Sequence, residues 1–157
     1  MRGNMGYEAD AVMDVFNYTT AFVVPAFPSS KRVTVNGRHY VDQVLLAETE
    51  FAHDPATPVK ESYIPDLLRK QTERKVTLIS VSDVRKGPDH LAKKMHEQMA
   101  NELPKMVVID GTSDEELKTI VEAAKKIDEP ILWVGSAGIA YHLAGEGQGP
   151  KPLKNIK

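Results

Sequence analysis

The chain contains no cysteine. That excludes disulfides, thiolate zinc sites and a thiol nucleophile. It has no excess of charge, since 20 basic residues face 22 acidic ones and the formal charge is −2. No electrostatic footprint for nucleic acid follows from that balance, and the Lys93-Lys94 and Lys125-Lys126 pairs read as solvated helix faces. No apolar run approaches the roughly 18 residues of a membrane span. The N-terminus lacks the pattern of a signal peptide. The expectation is a cytoplasmic protein with neither nucleic acid nor membrane as a partner. What is present is ordinary for a globular fold: 157 residues, 41% hydrophobic and 27% charged, enough for one domain with a buried core.

Apolar spacing organises the chain. Residues 5–18 place Ala9, Val12, Met13 and Phe16 three and four apart, which predicts a helix. "TAFVVPAF" predicts a buried strand over 20–24, stopped by Pro25. "RVTVNGRHYV" sets two alternating runs around Asn36-Gly37, the dipeptide that accepts a type I′ turn, and predicts a β-hairpin over about 32–41. Positions 42–46 suggest a helical turn, and "FAHDPATPVKES" an ordered, proline-rich loop. Ser62 is a candidate cap for a helix to about Gln71, with Pro65 in its first turn. After that, strands and helices alternate. "KVTLISV", "KMVVID" and "PILWVG" read as strands. Helices follow in "GPDHLAKKMHEQMANEL" with Asp89 as a possible cap, in "TSDEELKTIVEAAKKI" capped by Thr112 or Ser113, and in "SAGIAYHLA". The pattern predicts an α/β fold: a mostly parallel sheet with flanking helices and an inserted hairpin. The domain is expected to occupy 1–144, with the Gly/Pro/Lys-rich residues 145–157 as a linker or disordered end.

In open parallel sheets, ligands bind beyond the carboxyl ends of the strands, so the segments that follow the strands hold the candidates. Gly135, Ser136 and Gly138 in "VGSAGIA" suit either close backbone approach to an anion at a helix start or a tightly packed strand-to-helix turn. The stretch is neither a Walker loop nor GxGxxG. Asp110-Gly111-Thr112 suits a metal or hydroxyls, or a plain strand-end turn with a cap. His53-Asp54, flanked by Pro55 and Pro58, suits acid–base work near neutral pH or a pair that stabilises its loop. His39 sits on the hairpin, one face of which is expected to meet solvent. His90, His96 and His142 are expected to be partly exposed surface residues on helices, and no paired-ligand spacing for zinc exists. Arg2-Gly3-Asn4 combines a guanidinium, a flexible turn and an amide. That set fits a carboxylate or polyol, or else a frayed terminus.

Three blocks, "RGNMGYEADAV", "VVPAFPSSKRVTVNGRHYVDQVLLAETEFAHDPATPV" and "WVGSAGIAYHLA", resemble the four-carbon acid sugar kinase family over nearly all of residues 2–144. The resemblance implies an ATP-dependent kinase of threonate, erythronate or their 3-oxo forms. In that family an N-terminal domain binds the sugar acid and a C-terminal domain binds the nucleotide. By position, Arg2, Gly3 and Asn4 match the end of a Lys-x-Asp-Ser-Thr-Leu-Arg-Gly-Asn motif. Pro25, Phe27 and Pro28 match the loop after the next strand, His53, Asp54 and Pro58 match an HDPxTP loop, and Gly135, Ser136, Ala137 and Gly138 match the closing motif. Of these positions Arg2, Gly3, Asn4, Pro25, Phe27, His53, Asp54, Gly135, Ser136 and Gly138 are the substrate-binding candidates. The family's opening Asp-Asp-x-Thr-Gly segment and its nucleotide domain have no counterpart here. ATP and Mg therefore belong to the intact family, none is expected to bind this chain tightly, and the chain alone is expected to be inactive. A sheet short of its first strands would expose an edge, which implies a homo-oligomer or a separately encoded partner chain. The alternative is a non-catalytic sugar-acid-binding or scaffold protein.

Overall fold

The computed structural model describes residues 3–100 and 104–145. Arg2 and residues 146–157 of the tail lie outside the described residues. Four parallel strands form the main sheet: β1 (Thr20–Val24), β5 (Lys75–Ile79), β6 (Lys105–Ile109) and β7 (Leu132–Gly135), in the order β5-β6-β1-β7. The two inner strands are buried at every position. That is why they read as unbroken apolar runs rather than alternating ones.

Helices cover both faces. Phe22, Val24, Val107 and Ile109 point to one core. That core is completed by Leu91 and Met95 of α4 (Pro88–Met99), Leu117 and Ile120 of α5 (Asp114–Ala124) and Ile139 of α6 (Ala137–Ala144). Ala21, Val23, Met106 and Val108 point to the other. There they meet Ala9 and Met13 of α1 (Met5–Phe16) and Ile64 and Leu68 of α2 (Ile64–Arg69). Each fully buried large side chain contributes about 2 kcal/mol through removal from water.

The chain leaves β1 toward β5 on one side and leaves β6 toward β7 on the other. Each of these connections passes the other strand, and the carboxyl ends of β1 and β6 lie side by side at the end of the sheet where open α/β sheets bind ligands. An antiparallel meander stands at this point: β2 (Arg32–Val35), β3 (Arg38–Val41) and a two-residue β4 (Val44–Leu45). It is pinned to the main sheet by reciprocal backbone bonds between Thr34 and Gly111, at 2.9 and 3.1 Å.

The hairpin falls where Asn36-Gly37 places it, with φ of 49° and 75° at those residues. Positions 42–46 differ from the helical turn expected. Asp42 and Gln43 both take positive φ, at 49° and 69°, which reverses the chain as a second hairpin turn and delivers β4. Ser62 does not cap α2. It is buried, and its hydroxyl accepts from the Ala47 amide at 2.9 Å, while Tyr63 occupies the cap position without a side-chain bond. Asp89 lies in the first turn of α4 and Gly87 precedes the helix. α1 ends at Phe16 because Asn17 turns left-handed, with φ 57°. A short helix, α3 (Val81–Val84), follows β5 directly, where the sequence had suggested continued strand.

Candidate functional site

The candidate residues separate into two places. The first is a groove of about 350 Å³ that Gly3 and Asn4 share with Thr57, Pro58, Lys60 and Lys70. Gln71, just past α2, builds one wall. Its side-chain oxygen accepts from the Gly6 amide at 2.8 Å and its amide nitrogen donates to the Gly3 carbonyl at 3.0 Å. α1 approaches so closely here that a Cβ on Gly6 would lie 2.6 Å from the Gln71 Cβ. Gly3 itself has a φ of 87° and open space where a side chain would stand. Asn4 precedes α1 without using its side chain as a cap.

The opposite wall comes from the proline-rich loop. The Asp54 carboxylate accepts from the amides of Ala56 and Thr57, both at 2.9 Å. That Asx turn aims Thr57 and Pro58 at the groove. Val59 is buried and its amide binds the Phe51 carbonyl at 3.0 Å. His53 closes the preceding 3-10 turn and is exposed. Lys60 and Lys70 give the groove its positive groups. Glu61 lies 3.7 Å from Lys70 and also accepts from the Tyr63 amide.

The second place is the joint between β1 and the start of α6. Ser136 caps α6 by accepting from the Gly138 amide at 3.1 Å, and it donates to the Ala26 carbonyl at 2.5 Å. A Cβ on Gly135 would stand 2.7 Å from the Val24 carbonyl oxygen, and one on Gly138 would stand 2.6 Å from that of Ala26. These glycines bring two backbones together. Pro25 is buried beneath the joint. Phe27 is half-buried and hydrogen-bonds Arg32 through both backbone groups. Phe27 and Gly138 also line a groove of about 470 Å³ with Ser29, Lys118, Tyr141 and His142.

Between these places lies a polar cluster whose architecture the sequence did not disclose. Asp110 is fully buried at the end of β6. Its carboxylate accepts from the amides of Asn36 at 2.6 Å, Gly37 at 2.9 Å and Val81 at 3.0 Å. Burial pushes this carboxyl above its ordinary value, and the three amides counteract part of that. Asp110 thus ties the hairpin tip and α3 to β6, as a strand-end anchor. Its sequence signal was a carboxylate directly after the four apolar residues Met106–Ile109. Its partners, at the hairpin tip and at the start of α3, carried no such signal. Beside it, Glu116 accepts from Arg85 at 2.7 Å and from the Thr112 amide at 2.6 Å and hydroxyl at 2.8 Å. Burial opposes the charge on Glu116, but Arg85 and Thr112 outweigh it and hold this carboxyl below its ordinary value.

Two histidines depart from expectation. His39 is buried, not solvent-facing. The hairpin register places it across from Thr34, whose hydroxyl lies 3.1 Å from its Nδ1, and its amide binds the Ser62 carbonyl. Burial pushes its imidazole down to about 4, with Arg32 adding to the effect. His142 is likewise buried, because α6 turns it toward α5, where its Nε2 meets Asp114 at 3.1 Å.

A family model described as a sugar-binding N-terminal domain matches residues 1–143. The chain belongs to that family. Among the relatives of this sugar-binding domain is the D-threonate kinase of Salmonella typhimurium, 34% identical over 145 residues, covering 92% of this chain and 34% of the kinase. Another is the D-erythronate kinase of Heliobacterium modesticaldum, 34% identical over 125 residues, covering 79% of this chain and 28% of that one. A solved structure from Bordetella bronchiseptica, a domain-swapped dimer with bound citrate, matches with a TM-score of 0.69 and 32% identity over 87% of this chain and 32% of that one. The sugar-binding domain spans about a third of the length of these relatives. Kinases use ATP and Mg. Among the described residues no group of three His, Cys, Asp or Glu side chains is arranged to hold a metal ion. Among the described residues no helix is long and apolar enough to cross a membrane.

Proposed function

We propose that this chain is the sugar-acid-binding part of a cytoplasmic, ATP-dependent kinase of four-carbon sugar acids, and that the acid lies in the groove between Gly3-Asn4 and Thr57–Lys60. One observation carries this reading: the groove joins two of the blocks that resemble the kinases, although they lie far apart in the sequence. Its chemistry suits the ligand. The ammonium groups of Lys60 and Lys70 neutralise a carboxylate, while the Asn4 side chain serves hydroxyl oxygens. Asp54 shapes the loop that brings Thr57 and Pro58 to the groove, while His53 is not among the residues that line it. The Phe27 and Gly135–Gly138 segment fixes the floor of the carboxyl edge. The citrate in the Bordetella relative is a polycarboxylate of the same chemical class.

Phosphoryl transfer depends on positioning and charge neutralisation around the transferred group. A part that holds only the acceptor binds without turnover. ATP and Mg act with the remaining length of the relatives, supplied by a partner chain or the rest of a longer one. Self-association belongs to the same reading, because β7 is an edge strand and such edges invite pairing.

The test is a thermal-shift titration with threonate, erythronate and 3-oxo-tetronates, with ADP release followed in parallel under Mg-ATP. Stabilisation by one of these acids without ADP is the expected result. ADP release from the pure chain contradicts the division of labour, and the absence of any shift contradicts sugar-acid binding and favours a scaffold.

A further inference from the structure

Gly3 and Asn4 form one wall of the groove, yet neither residue fixes its own place. Gly3 has a φ of 87° and nothing within 4 Å of where a Cβ would stand, and a glycine backbone has the most freedom to lose. The Asn4 side chain makes no capping bond, and both residues are exposed. What orders this wall comes from residue 71. The Gln71 amide donates to the Leu68 carbonyl at 2.7 Å, and Leu68 is fully buried in the core beneath α2. From that fixed base the Gln71 side chain reaches two backbone groups of the wall. Its Oε1 accepts from the Gly6 amide at 2.8 Å, and its Nε2 donates to the Gly3 carbonyl at 3.0 Å. The partners set the orientation of the carboxamide, since an N–H requires an acceptor and a C=O a donor. The Gly6 amide belongs to the first turn of α1, where the helix itself supplies no acceptor. Gly6 also has to be small, because a Cβ there would lie 2.6 Å from the Gln71 Cβ.

We propose that Gln71 is the positioning residue of the acid groove. By holding Gly3 and Gly6 together it sets the Asn4 side chain in place before the acid arrives. Without this brace the ligand itself would have to order Gly3 and Asn4, and the entropy lost in doing so is subtracted from its affinity. Gln71 acts on the acid through Gly3 and Asn4, since its oxygen and its nitrogen both face backbone groups. It lies outside the three blocks that resemble the kinases, so no motif pointed to it. The inference rests on the reading that this groove holds the acid.

Two measurements on the full chain test it together: isothermal titration with D-threonate, D-erythronate and 3-oxo-tetronates, and amide hydrogen exchange at Gly6. Gln71→Met keeps the length of the side chain and removes both bonds. The expected result is a loss of affinity of about tenfold, with fast exchange at a Gly6 amide that is slow in the parent. Gln71→Glu keeps the acceptor for Gly6 and loses the donor to Gly3. It should retain the slow exchange and still weaken binding about fivefold. Gly6→Ala leaves Gln71 chemically intact but displaces it, and should weaken binding as Gln71→Met does. Thr72→Ala is the control. It breaks the 2.9 Å bond from the Thr72 hydroxyl to Asp10, another tie to α1 one turn further along. It should lower stability in urea and leave affinity unchanged. Affinity untouched by Gln71→Met and Gly6→Ala overturns the inference and leaves the groove reading standing. An equal loss from Thr72→Ala overturns it too, because any loosening of α1 would then suffice. If the parent binds none of the acids, the groove reading fails, and exchange decides the brace. Slow exchange at Gly6 that Gln71→Met abolishes and Gln71→Glu preserves supports it, and fast exchange in the parent overturns it.

Discussion

Gly3-Asn4 and Gly135–Gly138 both set glycine beside a polar residue at the start of a helix, yet the surroundings of the two differ. At Gly138 a side chain would strike the backbone of Ala26, and Ser136 is occupied by the Gly138 amide and the Ala26 carbonyl. At Gly3 nothing lies within 4 Å of where a side chain would be, and Asn4 makes no capping bond. At Gly135–Gly138 small residues serve the packing of β1 against α6. At Gly3-Asn4 a positive φ serves the course of the chain, and room is left for a ligand. Glycine near a helix start is therefore ambiguous in a sequence, and the contacts of the missing Cβ resolve it.

Changes in the packed region should act on stability, and changes at the open groove on binding. The largest effect is expected for Asp110→Ala. It leaves three amides without their acceptor, a loss of about 4 kcal/mol in urea unfolding. Asp110→Asn keeps one oxygen and should lose about half as much.

Next is the pH dependence set by His39. Its folded value near 4 lies below the ordinary 6.5, so between those values the unfolded chain binds the proton. Stability is then complete above about pH 6.5 and is lost as pH falls toward 4, by about 3 kcal/mol in total. His39→Gln should flatten this slope in unfolding measured from pH 7.5 to 4. Glu116, held below its ordinary value, adds a further loss at the acid end, whereas the raised Asp110 acts in the opposite sense.

Gly138→Ala forces the Ala26 backbone to move and should cost about 2 kcal/mol. Sugar-acid affinity corrected for unfolding should remain unchanged. Asn4→Ala should reverse that pattern. Its unfolding midpoint should stay within error of the parent, while affinity for the acid falls about fivefold, roughly 1 kcal/mol. Equal effects of the two substitutions on binding would erase the distinction between the regions.

Much of the fold was legible because its signals are local. Asn36-Gly37 fixed the hairpin through the φ angles it accepts. Ser113 and Ser136 cap α5 and α6 as their positions before apolar helices suggest. The apolar run of β1 announced a buried strand and that of β6 a strand, while their central places in the sheet were not read from the sequence. What was not legible depends on distant partners. Asp110 could be seen at a strand end, but its amide donors come from the hairpin tip and α3. His39 and His142 read as exposed because their own elements left room for that, and only the packing of the hairpin on Ser62 and of α6 on α5 buries them. The candidate groove was legible as two separate motifs, since nothing local places Asn4 beside Thr57.

The central claim is that the open groove at Gly3-Asn4 holds the acid. Isothermal titration of the chain with D-threonate, D-erythronate and 3-oxo-tetronates, repeated with Lys60→Ala, tests it most directly. The account predicts saturable binding of at least one acid, weakened about fivefold or more by Lys60→Ala, in keeping with the loss of a charged partner. Binding that Lys60→Ala leaves untouched would contradict it, as would the absence of binding by any of these acids.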